Sequence, residues 1–245
     1  MIEHTVDIAT GDGDLSTFIC HPEGGGAHPL IIFYMDAPGI REELRDMVRR
    51  LAGGGYYVML PNLYYRAGVS ELGPIGTAGP AWRERMFALM DGLSIAMVMK
   101  DTDALLAFAE GDAAAARGPA GAVGYCMSGQ FAINAAARHP RRFAAAASIY
   151  GVRLVTDAVD SPHRVAAGAE AELYFACAET DHWAPLPVIE TLAASLEAAR
   201  ANAKVEIYPG VEHGFAFPQR PAYDRNAAER HWERLFALFA RRLHP

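Results

Sequence analysis

The chain has 245 residues, and its 29 acidic and 22 basic side chains give a formal net charge of −7 at pH 7. The basic residues are scattered rather than gathered into a stripe, which excludes the charged surface typical of nucleic-acid-binding proteins. Hydrophobic residues make up 51% of the chain and charged residues 21%, values that favour a globular protein with a sizeable core. We therefore expect one folded domain over residues 1–245.

The N-terminal stretch from Met1 to Thr10 alternates like a strand, and it has neither the basic start nor the apolar run of a signal peptide. Because no run of about 18 apolar residues occurs either, we expect a cytoplasmic protein with no membrane partner. The odd number of cysteines, without C-x-x-C spacing, predicts neither a disulfide framework nor a zinc site. No cofactor is indicated.

The first half of the chain alternates between strand and helix patterns. It opens with two short alternating stretches, Thr5–Ala9 and Leu15–His21, joined by Gly11-Asp12-Gly13-Asp14, which predict a β-hairpin. The elements predicted next are strand Leu30–Met35, helix Glu42–Ala52, strand Tyr56–Leu60, and helices Trp82–Leu89 and Ala96–Ala109. Between them, the stretch Arg66–Pro80 is rich in glycine and proline, which predicts a long irregular loop of the kind that borders binding sites.

The second half continues the same alternation. Its predicted elements are strand Ala120–Tyr125, helix Gln130–Arg138, strands Phe143–Tyr150 and Leu173–Ala178, helix Val188–Ala201, strand Val205–Tyr208 and helix Ala222–Leu243. Strands that alternate with helices predict an α/β fold with a mostly parallel central sheet and helices on both faces. Active sites in such sheets lie beyond the carboxyl ends of the strands.

The segment Gly124-Tyr-Cys-Met-Ser-Gly129 joins an apolar strand directly to a helix. This is the setting of a nucleophile elbow, a strained turn that needs small residues two positions before the nucleophile and about two after it. Gly124 and Ser128 occupy those positions, although glycine is usual at the second. The helix N-terminus favours a thiolate, and the Met127 N–H is placed to bind an oxyanion. We therefore predict that Cys126 is the nucleophile.

Two other interpretations of this segment stay open. A buried cysteine often serves only as a small hydrophobic residue. Ser128 is a rival nucleophile, but an elbow centred on Ser128 would place Cys126 and Gln130 at the two positions that need small residues. The other two cysteines, Cys20 and Cys177, lie in or beside strands with no helix start after them, so we expect both to be core residues.

Two later strands are each followed by a residue suited to a catalytic triad. Asp181 comes soon after strand Leu173–Ala178, and His213 comes soon after strand Val205–Tyr208. The chain order of nucleophile, acid and histidine is that of α/β-hydrolases. An imidazole at this place takes the thiol proton, and the carboxylate orients it and stabilises the imidazolium.

These assignments also have alternatives. For Asp181 the alternative is a helix cap or an exposed turn, with Glu179 close by. A metal site that combines Glu212, His213, Asp181 and His182 has no ligand spacing to support it, so we expect no metal. We expect His182 to line the entrance of the site, and we expect the remaining histidines, His21 and His231 among them, to lie at the surface.

These three segments, together with Pro-Asn-Leu-Tyr-Tyr-Arg at Pro61 to Arg66, resemble the dienelactone hydrolase family, also called carboxymethylenebutenolidases. Members carry a Gly-Tyr-Cys-x-Gly-Gly-like elbow, an acid after a strand, and a late His-Gly/Ser-Phe, here His213 to Phe215. The likeness covers nearly the whole chain. It implies an α/β-hydrolase fold and a cysteine-dependent hydrolase of a small ester or lactone that works through a covalent acyl-enzyme.

The resemblance also implies roles for other residues. Asp36 matches a family glutamate that interacts with the resting thiol and gives way when substrate binds, and Ala37 would supply the second oxyanion N–H. Arg66 matches one of two arginines that hold the substrate carboxylate, while Phe217 stands where the family has the other. Tyr125, in the elbow motif, is a further substrate-binding candidate. Half of the carboxylate clamp is therefore expected to be missing.

Several alternatives remain at this point. Asp36 is otherwise a simple acid at a strand end, and Arg83, Arg85 or Arg220 are alternative sources of the missing clamp arginine. One alternative activity is that of a thioesterase or a broader carboxylesterase. The other alternative is that the chain is a catalytically silent binding protein on the same fold. The expected partner is a small-molecule ester or lactone, and the expected state is a monomer or homodimer.

Overall fold

The computed structural model describes residues 1–73 and 79–243. The chain divides into two compact units, Met1–Arg117 and Gly118–Pro245, and strands alternate with helices in both. None of the helices in the described part of the chain is long and apolar enough to cross a membrane. That all 245 residues form one domain stays a prediction.

The strands of the first unit are β1 Ile2–Thr10, β2 Gly13–His21, β3 Leu30–Tyr34 and β4 Tyr57–Pro61. Strand β2 pairs antiparallel with β1 and with β4, and β3 pairs parallel with β4. The predicted hairpin is confirmed, and it is longer than predicted because pairing continues to Thr10 and Gly13 at the turn. Every residue of β3 and β4 is buried, as expected for strands covered on both faces.

The helices of the first unit are α1 Glu42–Gly53, α2 Pro80–Asp91 and α3 Ile95–Gly111. Helix α1 buries an apolar face that includes Leu44, Val48 and Leu51. It ends at glycines, where the N–H of Gly54 donates to the carbonyl of Leu51. The predicted loop Arg66–Pro80 is irregular up to Gly73 apart from a 3-10 turn at Tyr65–Ala67. Its residues 74–78 lie outside the described residues.

The strands of the second unit are β5 Ala120–Tyr125, β6 Phe143–Ile149, β7 Glu172–Thr180 and β8 Ala203–Glu212. They are all parallel and stand in the order of their numbers. The last two strands are longer than predicted because their pairing resumes after an irregularity near Ala178, where Thr180 pairs with Glu212. This extension brings the loops that carry Asp181 and His213 to the same edge of the sheet.

The helices of the second unit are α4 Gly129–Arg138, α5 Pro162–Val165, α6 Leu186–Ala198 and α7 Arg225–Leu243. Helix α6 ends three residues before its predicted end because Arg200 takes a left-handed backbone, with φ 54°. Helix α7 begins later than predicted because Asp224 caps it and accepts the Ala227 N–H at 2.8 Å. The short helix α5 has too few residues for an apolar period to predict it.

Candidate active site

Cys126 lies directly after β5 and before α4, within a 3-10 turn that spans Cys126–Ser128. Its φ of 54° lies in the left-handed region, which non-glycine residues rarely adopt and which is common at functional turns. Gly124 makes this turn possible, because a Cβ atom there would lie 2.0 Å from the carbonyl oxygen of Ser128. The sequence predicted both the elbow and the need for a small residue at this position.

The second tight position of the elbow is Gly129 rather than Ser128. A Cβ atom on Gly129 would lie 2.3 Å from Oγ of Ser148 and 2.7 Å from Cα of Gly151. Ser128 is fully buried and contributes its backbone to the contact with Gly124. A serine is therefore accommodated at a position where glycine is usual, and the requirement for glycine falls one residue later than the sequence analysis placed it.

The carboxylate of Asp181 meets the imidazole of His213 at the carboxyl ends of β7 and β8. Oδ2 of Asp181 lies 2.7 Å from Nδ1 of His213. The other oxygen, Oδ1, accepts the N–H groups of Trp183 at 2.8 Å and Ala184 at 3.2 Å. The Asp181 side chain is 1% exposed and that of His213 is 17% exposed, so the acid is enclosed while the base keeps some access to solvent.

The surroundings of His213 favour its protonated form. Burial alone would lower the pKa of His213. The negative charge of Cys126 and the hydrogen bonds to Asp181 and Cys126 outweigh that effect and raise the pKa to about 10. At neutral pH the proton therefore resides on the imidazole.

The other two cysteines have different surroundings. Cys20 and Cys177 are both buried, which confirms their prediction as core residues, whereas Cys126 is partly exposed. Burial, together with the charge of Asp181, raises the pKa of Cys177 to about 12. Burial also raises the pKa of Cys20. Both thiols are therefore protonated at neutral pH and poorly suited to nucleophilic attack.

Tyr125 and Phe217, both predicted to contact substrate, lie within a buried aromatic cluster. Their ring centroids are 5.4 Å apart, and both residues are fully buried. The guanidinium of Arg220, one of the alternative clamp arginines, lies 5.7 Å from the centroid of the Phe217 ring. The substrate-binding roles stay predictions, and the contacts of both rings are those of core packing.

His231 is fully buried, so its prediction as a surface residue is wrong, and the same is true of His21, which is 7% exposed. Nε2 of His231 lies 3.1 Å from the Tyr125 hydroxyl, and its Nδ1 is hydrogen-bonded to the carbonyl of Ala228. With both ring nitrogens partnered, the imidazole is accommodated in the core. Sequence reasoning missed it because a polar residue in an amphipathic helix is usually exposed.

Met127, the predicted oxyanion donor, is 1% exposed and lies in the first turn after the nucleophile. Its carbonyl accepts the Nε2 amide of Gln130 at 2.9 Å, which fixes the peptide that follows it. Among residues 1–73 and 79–243, no three His, Cys, Asp or Glu side chains are grouped so as to hold a metal ion.

In the first unit, Asp36 is fully buried and ion-paired with Arg41. The guanidinium donates to Oδ1 at 2.5 Å and to Oδ2 at 3.1 Å, and it also donates to Glu43. Burial alone would lower the pKa of Arg41. The charges and hydrogen bonds of Asp36 and Glu43 outweigh that effect, so the pKa is raised above its ordinary value. Arg41 thus binds both carboxylate oxygens of Asp36, the predicted thiol-modulating acid, and no local sequence pattern indicates this partner.

Ala37, the second predicted oxyanion donor, lies in the turn that follows β3 and is 3% exposed. Its carbonyl accepts the hydroxyl of Tyr64 at 2.7 Å, and the Gly39 N–H donates to the carbonyl of Asp36 at 2.9 Å. Gly39 has a φ of 80°, which only a residue without a side chain adopts readily. The peptide of Ala37 is therefore held in a defined orientation within its own unit.

Arg66, the predicted carboxylate ligand, already has two carboxylate partners in the first unit. Its two terminal nitrogens donate to the two oxygens of Asp101, at 2.8 and 2.7 Å. Its Nε and one terminal nitrogen also donate to Asp12, at 3.0 and 2.9 Å. Asp101 is fully buried, which makes this pair a structural one. The substrate-binding role of Arg66 stays a prediction, and these contacts weigh against it.

A sequence model of the Dienelactone hydrolase family matches residues 15–243 of the chain. The chain belongs to the dienelactone hydrolase family. A protein of Methylorubrum extorquens that carries the name "Putative carboxymethylenebutenolidase" is 31% identical over 240 residues, which cover 96% of this chain and 79% of that protein. A protein of the same name from Salmonella typhi is 28% identical over 254 residues, which cover 97% and 90%.

Solved structures lead to the same family. One is the crystal structure of a protein from Klebsiella pneumoniae named "Putative Dienelactone Hydrolase". It has a TM-score of 0.85 and 26% identity to this chain, over 98% of both chains. A dienelactone hydrolase of Anabaena variabilis, 17% identical with a TM-score of 0.71 over 99% of both chains, shows the fold alone. The predicted family and α/β-hydrolase fold are thus confirmed, and the chain is a dienelactone hydrolase-like enzyme that acts on ester or lactone bonds.

Proposed function

We propose that Cys126, His213 and Asp181 form a catalytic triad that hydrolyses a small ester or lactone through an acyl-enzyme on Cys126. The observation that carries this proposal is the 2.7 Å hydrogen bond between Nδ1 of His213 and Oδ2 of Asp181. It leaves Nε2 of the imidazole for the sulfur of Cys126, whose hydrogen bond and charge both act on His213. This division of the two ring nitrogens is what a triad requires.

In the proposed acylation step, the Cys126 sulfur attacks the carbonyl carbon of the substrate, and the π electrons move to the carbonyl oxygen. The N–H groups of Met127 and Ala37 are the proposed donors to that oxyanion. As the bond to the leaving oxygen breaks, the Nε2 proton of His213 passes to that oxygen. An ester releases its alcohol, whereas a lactone keeps the new hydroxyl attached to the acyl group.

In the proposed deacylation step, neutral His213 accepts a proton from a water molecule as the water oxygen attacks the thioester carbon. The tetrahedral intermediate then expels the Cys126 sulfur as a thiolate and releases the carboxylic acid. The imidazolium is restored next to the thiolate. Throughout the cycle Asp181 holds the tautomer and stabilises the imidazolium without taking the proton itself.

For substrate recognition, we propose a requirement for a carboxylate that is weaker than the family resemblance implies. Arg66 remains the proposed ligand of such a group, but Asp101 and Asp12 compete for the same guanidinium. Phe217 has no cationic group to replace the second arginine. Asp36 is proposed to modulate the thiol as an ion pair with Arg41 rather than as a free carboxylate. A cytoplasmic location and a monomeric or homodimeric state accompany this proposal.

The test is the pre-steady-state hydrolysis of p-nitrophenyl acetate. We expect a burst of p-nitrophenol of about one equivalent per active site, because thioester formation precedes hydrolysis of the acyl-enzyme. Mass spectrometry of the quenched protein should locate the acetyl group on Cys126. The matched control is Cys177→Ala, which should keep the burst. An acetyl group on Ser128, or a normal burst in Cys126→Ala, would contradict the proposal.

A further inference from the structure

Tyr150, the residue that follows β6, has a backbone conformation that tyrosine rarely adopts. Its φ is 36°, in the region where a bulky residue is an outlier. Such strain persists only where the surrounding contacts fix the residue, and it is concentrated at functional sites. The side chain is 1% exposed. The contacts that fix it are therefore all internal to the protein.

Backbone hydrogen bonds hold the turn that begins at Tyr150 on two sides. The N–H of Tyr150 donates to the carbonyl of Ala176 on β7 at 2.7 Å, and the N–H of Val152 donates to the carbonyl oxygen of Cys126 at 3.0 Å. Between them, Gly151 packs so closely on the start of α4 that a Cβ atom on it would lie 3.2 Å from the first Cα of that helix. The turn is therefore fixed to the nucleophile elbow.

The ring of Tyr150 packs against the imidazole of His213. The two ring centroids are 5.0 Å apart with an angle of 61° between the planes, an edge-to-face arrangement of the kind that aromatic pairs prefer. The tyrosine ring is held in turn by Phe215, at 5.2 Å and 74°, and by Tyr125, at 5.9 Å. A ring fixed in this way limits rotation of the imidazole away from Asp181.

One short turn thus contacts both proposed reacting residues. The N–H of Val152 binds the backbone carbonyl of Cys126, and the ring of Tyr150 packs on the imidazole of His213. We propose that Tyr150 is a positioning residue that holds the His213 imidazole in line with Asp181 and Cys126. This inference rests on the triad proposed above. The phenolic ring rather than its hydroxyl is the part that acts, since the contact with His213 is a contact between rings.

The test compares Tyr150→Leu, which removes the ring but keeps apolar volume, with Tyr150→Phe, which keeps the ring. A misplaced catalytic group costs up to roughly a hundredfold in rate, so we expect Tyr150→Leu to lower kcat for p-nitrophenyl acetate by about tenfold to a hundredfold with little change in KM. Tyr150→Phe should restore kcat to near the native value. Tyr150→Asn, whose backbone tolerates positive φ, is a second ring-free variant if Tyr150→Leu does not fold.

A second measurement does not depend on turnover. NMR titration of histidine labelled with nitrogen-15 should give a pKa near 10 for His213 in the native protein. The groups that face this imidazole are Asp181, Cys126 and Tyr150. In the ring-free variants the imidazole should lose its alignment with Asp181 and Cys126. Its pKa should then fall toward the ordinary value of about 6.5.

The matched control is Phe143→Leu, which removes an equally buried ring from the opposite end of β6. It should lower stability and leave both the His213 titration and kcat unchanged. Native kcat and a native titration in a folded ring-free variant would overturn the role of Tyr150. Full turnover in Cys126→Ala would overturn the triad instead, and the titration alone would then decide whether Tyr150 orients His213.

Discussion

Nδ1 of His213 lies 2.7 Å from Oδ2 of Asp181, although 32 residues separate the two in the chain. The contact joins the ends of two neighbouring parallel strands, β7 and β8, whose pairing extends as far as Thr180 and Glu212. Because the last paired residues directly precede the acid and the base, the register of the sheet itself sets their separation.

Replacement of Asp181 by asparagine is expected to lower kcat/KM by roughly a thousandfold to ten-thousandfold, since an amide N–H facing Nδ1 imposes the wrong imidazole tautomer. His213→Ala should cost at least as much, and adding Cys126→Ala to either should lower the rate little further. Stopped-flow assays with an activated ester measure the effect. Glu179→Gln is the control, because Glu179 accepts the Gly210 N–H and not the imidazole. An unchanged rate in Asp181→Asn would remove Asp181 from the triad.

The raised pKa of His213 predicts a pH dependence with a definite sign. The folded-state value is about 10, against an ordinary value of about 6.5. The stabilisation from the charged imidazole is therefore fully present below about pH 6.5 and is lost as the pH rises toward 10. We expect an alkaline limb of kcat/KM near pH 10, and a decline in Tm from pH 7 to pH 10 that is smaller in His213→Gln. An alkaline limb near pH 7 would contradict this assignment.

Arg66→Ala is expected to reduce stability more than turnover of a neutral ester. Removing one partner of a buried ion pair typically costs about 3–5 kcal/mol. The loss here should lie at or below the lower end of that range, because the Arg66 side chain is 16% exposed and Asp101 keeps the Tyr65 hydroxyl as a donor. Urea unfolding measures the loss, and the double variant Arg66→Ala/Asp101→Ala should lose less than the sum of the two single variants. A large rise in KM for a carboxylate-bearing lactone alone, with native stability, would instead support the substrate-binding role.

Gly129→Ala is expected to disrupt the elbow, because the added Cβ atom would lie 2.3 Å from Oγ of Ser148 and 2.7 Å from a backbone carbon. Activity should fall together with stability, as measured by ester hydrolysis and thermal unfolding. Gly118→Ala is the matched control, since a Cβ atom there meets nothing within 4 Å. Native activity in Gly129→Ala would show that the elbow tolerates displacement of α4 from the turn after β6.

The succession of strands and helices could be predicted because apolar runs, apolar periods and glycine or proline stops are local signals. The same signals located Cys126, Asp181 and His213 at strand ends. The ends of elements were less predictable where a backbone conformation decides them, as at Arg200, or where sheet pairing continues through polar residues, as at Thr180.

The partners of charged groups could not be predicted, because folding chooses them from distant parts of the chain. Asp101 lies 35 residues from Arg66, and nothing in the local pattern of either residue indicates the pair. The burial of His231 was missed for a related reason, since the Tyr125 hydroxyl that hydrogen-bonds to it is 106 residues away. Apolar patterns report which face is buried, but they do not report which polar groups satisfy one another inside.

The backbone N–H groups of Trp183 and Ala184 both bind Oδ1 of Asp181 and hold that carboxylate in one orientation. They prevent the carboxylate from rotating about its Cβ–Cγ bond, so Oδ2 faces Nδ1 of His213 before any substrate arrives. The conformational entropy lost in aligning the acid is therefore lost when the loop folds and not in each catalytic cycle. In the proposed mechanism, the carboxylate charge that stabilises the imidazolium therefore needs no reorganisation when that positive charge develops.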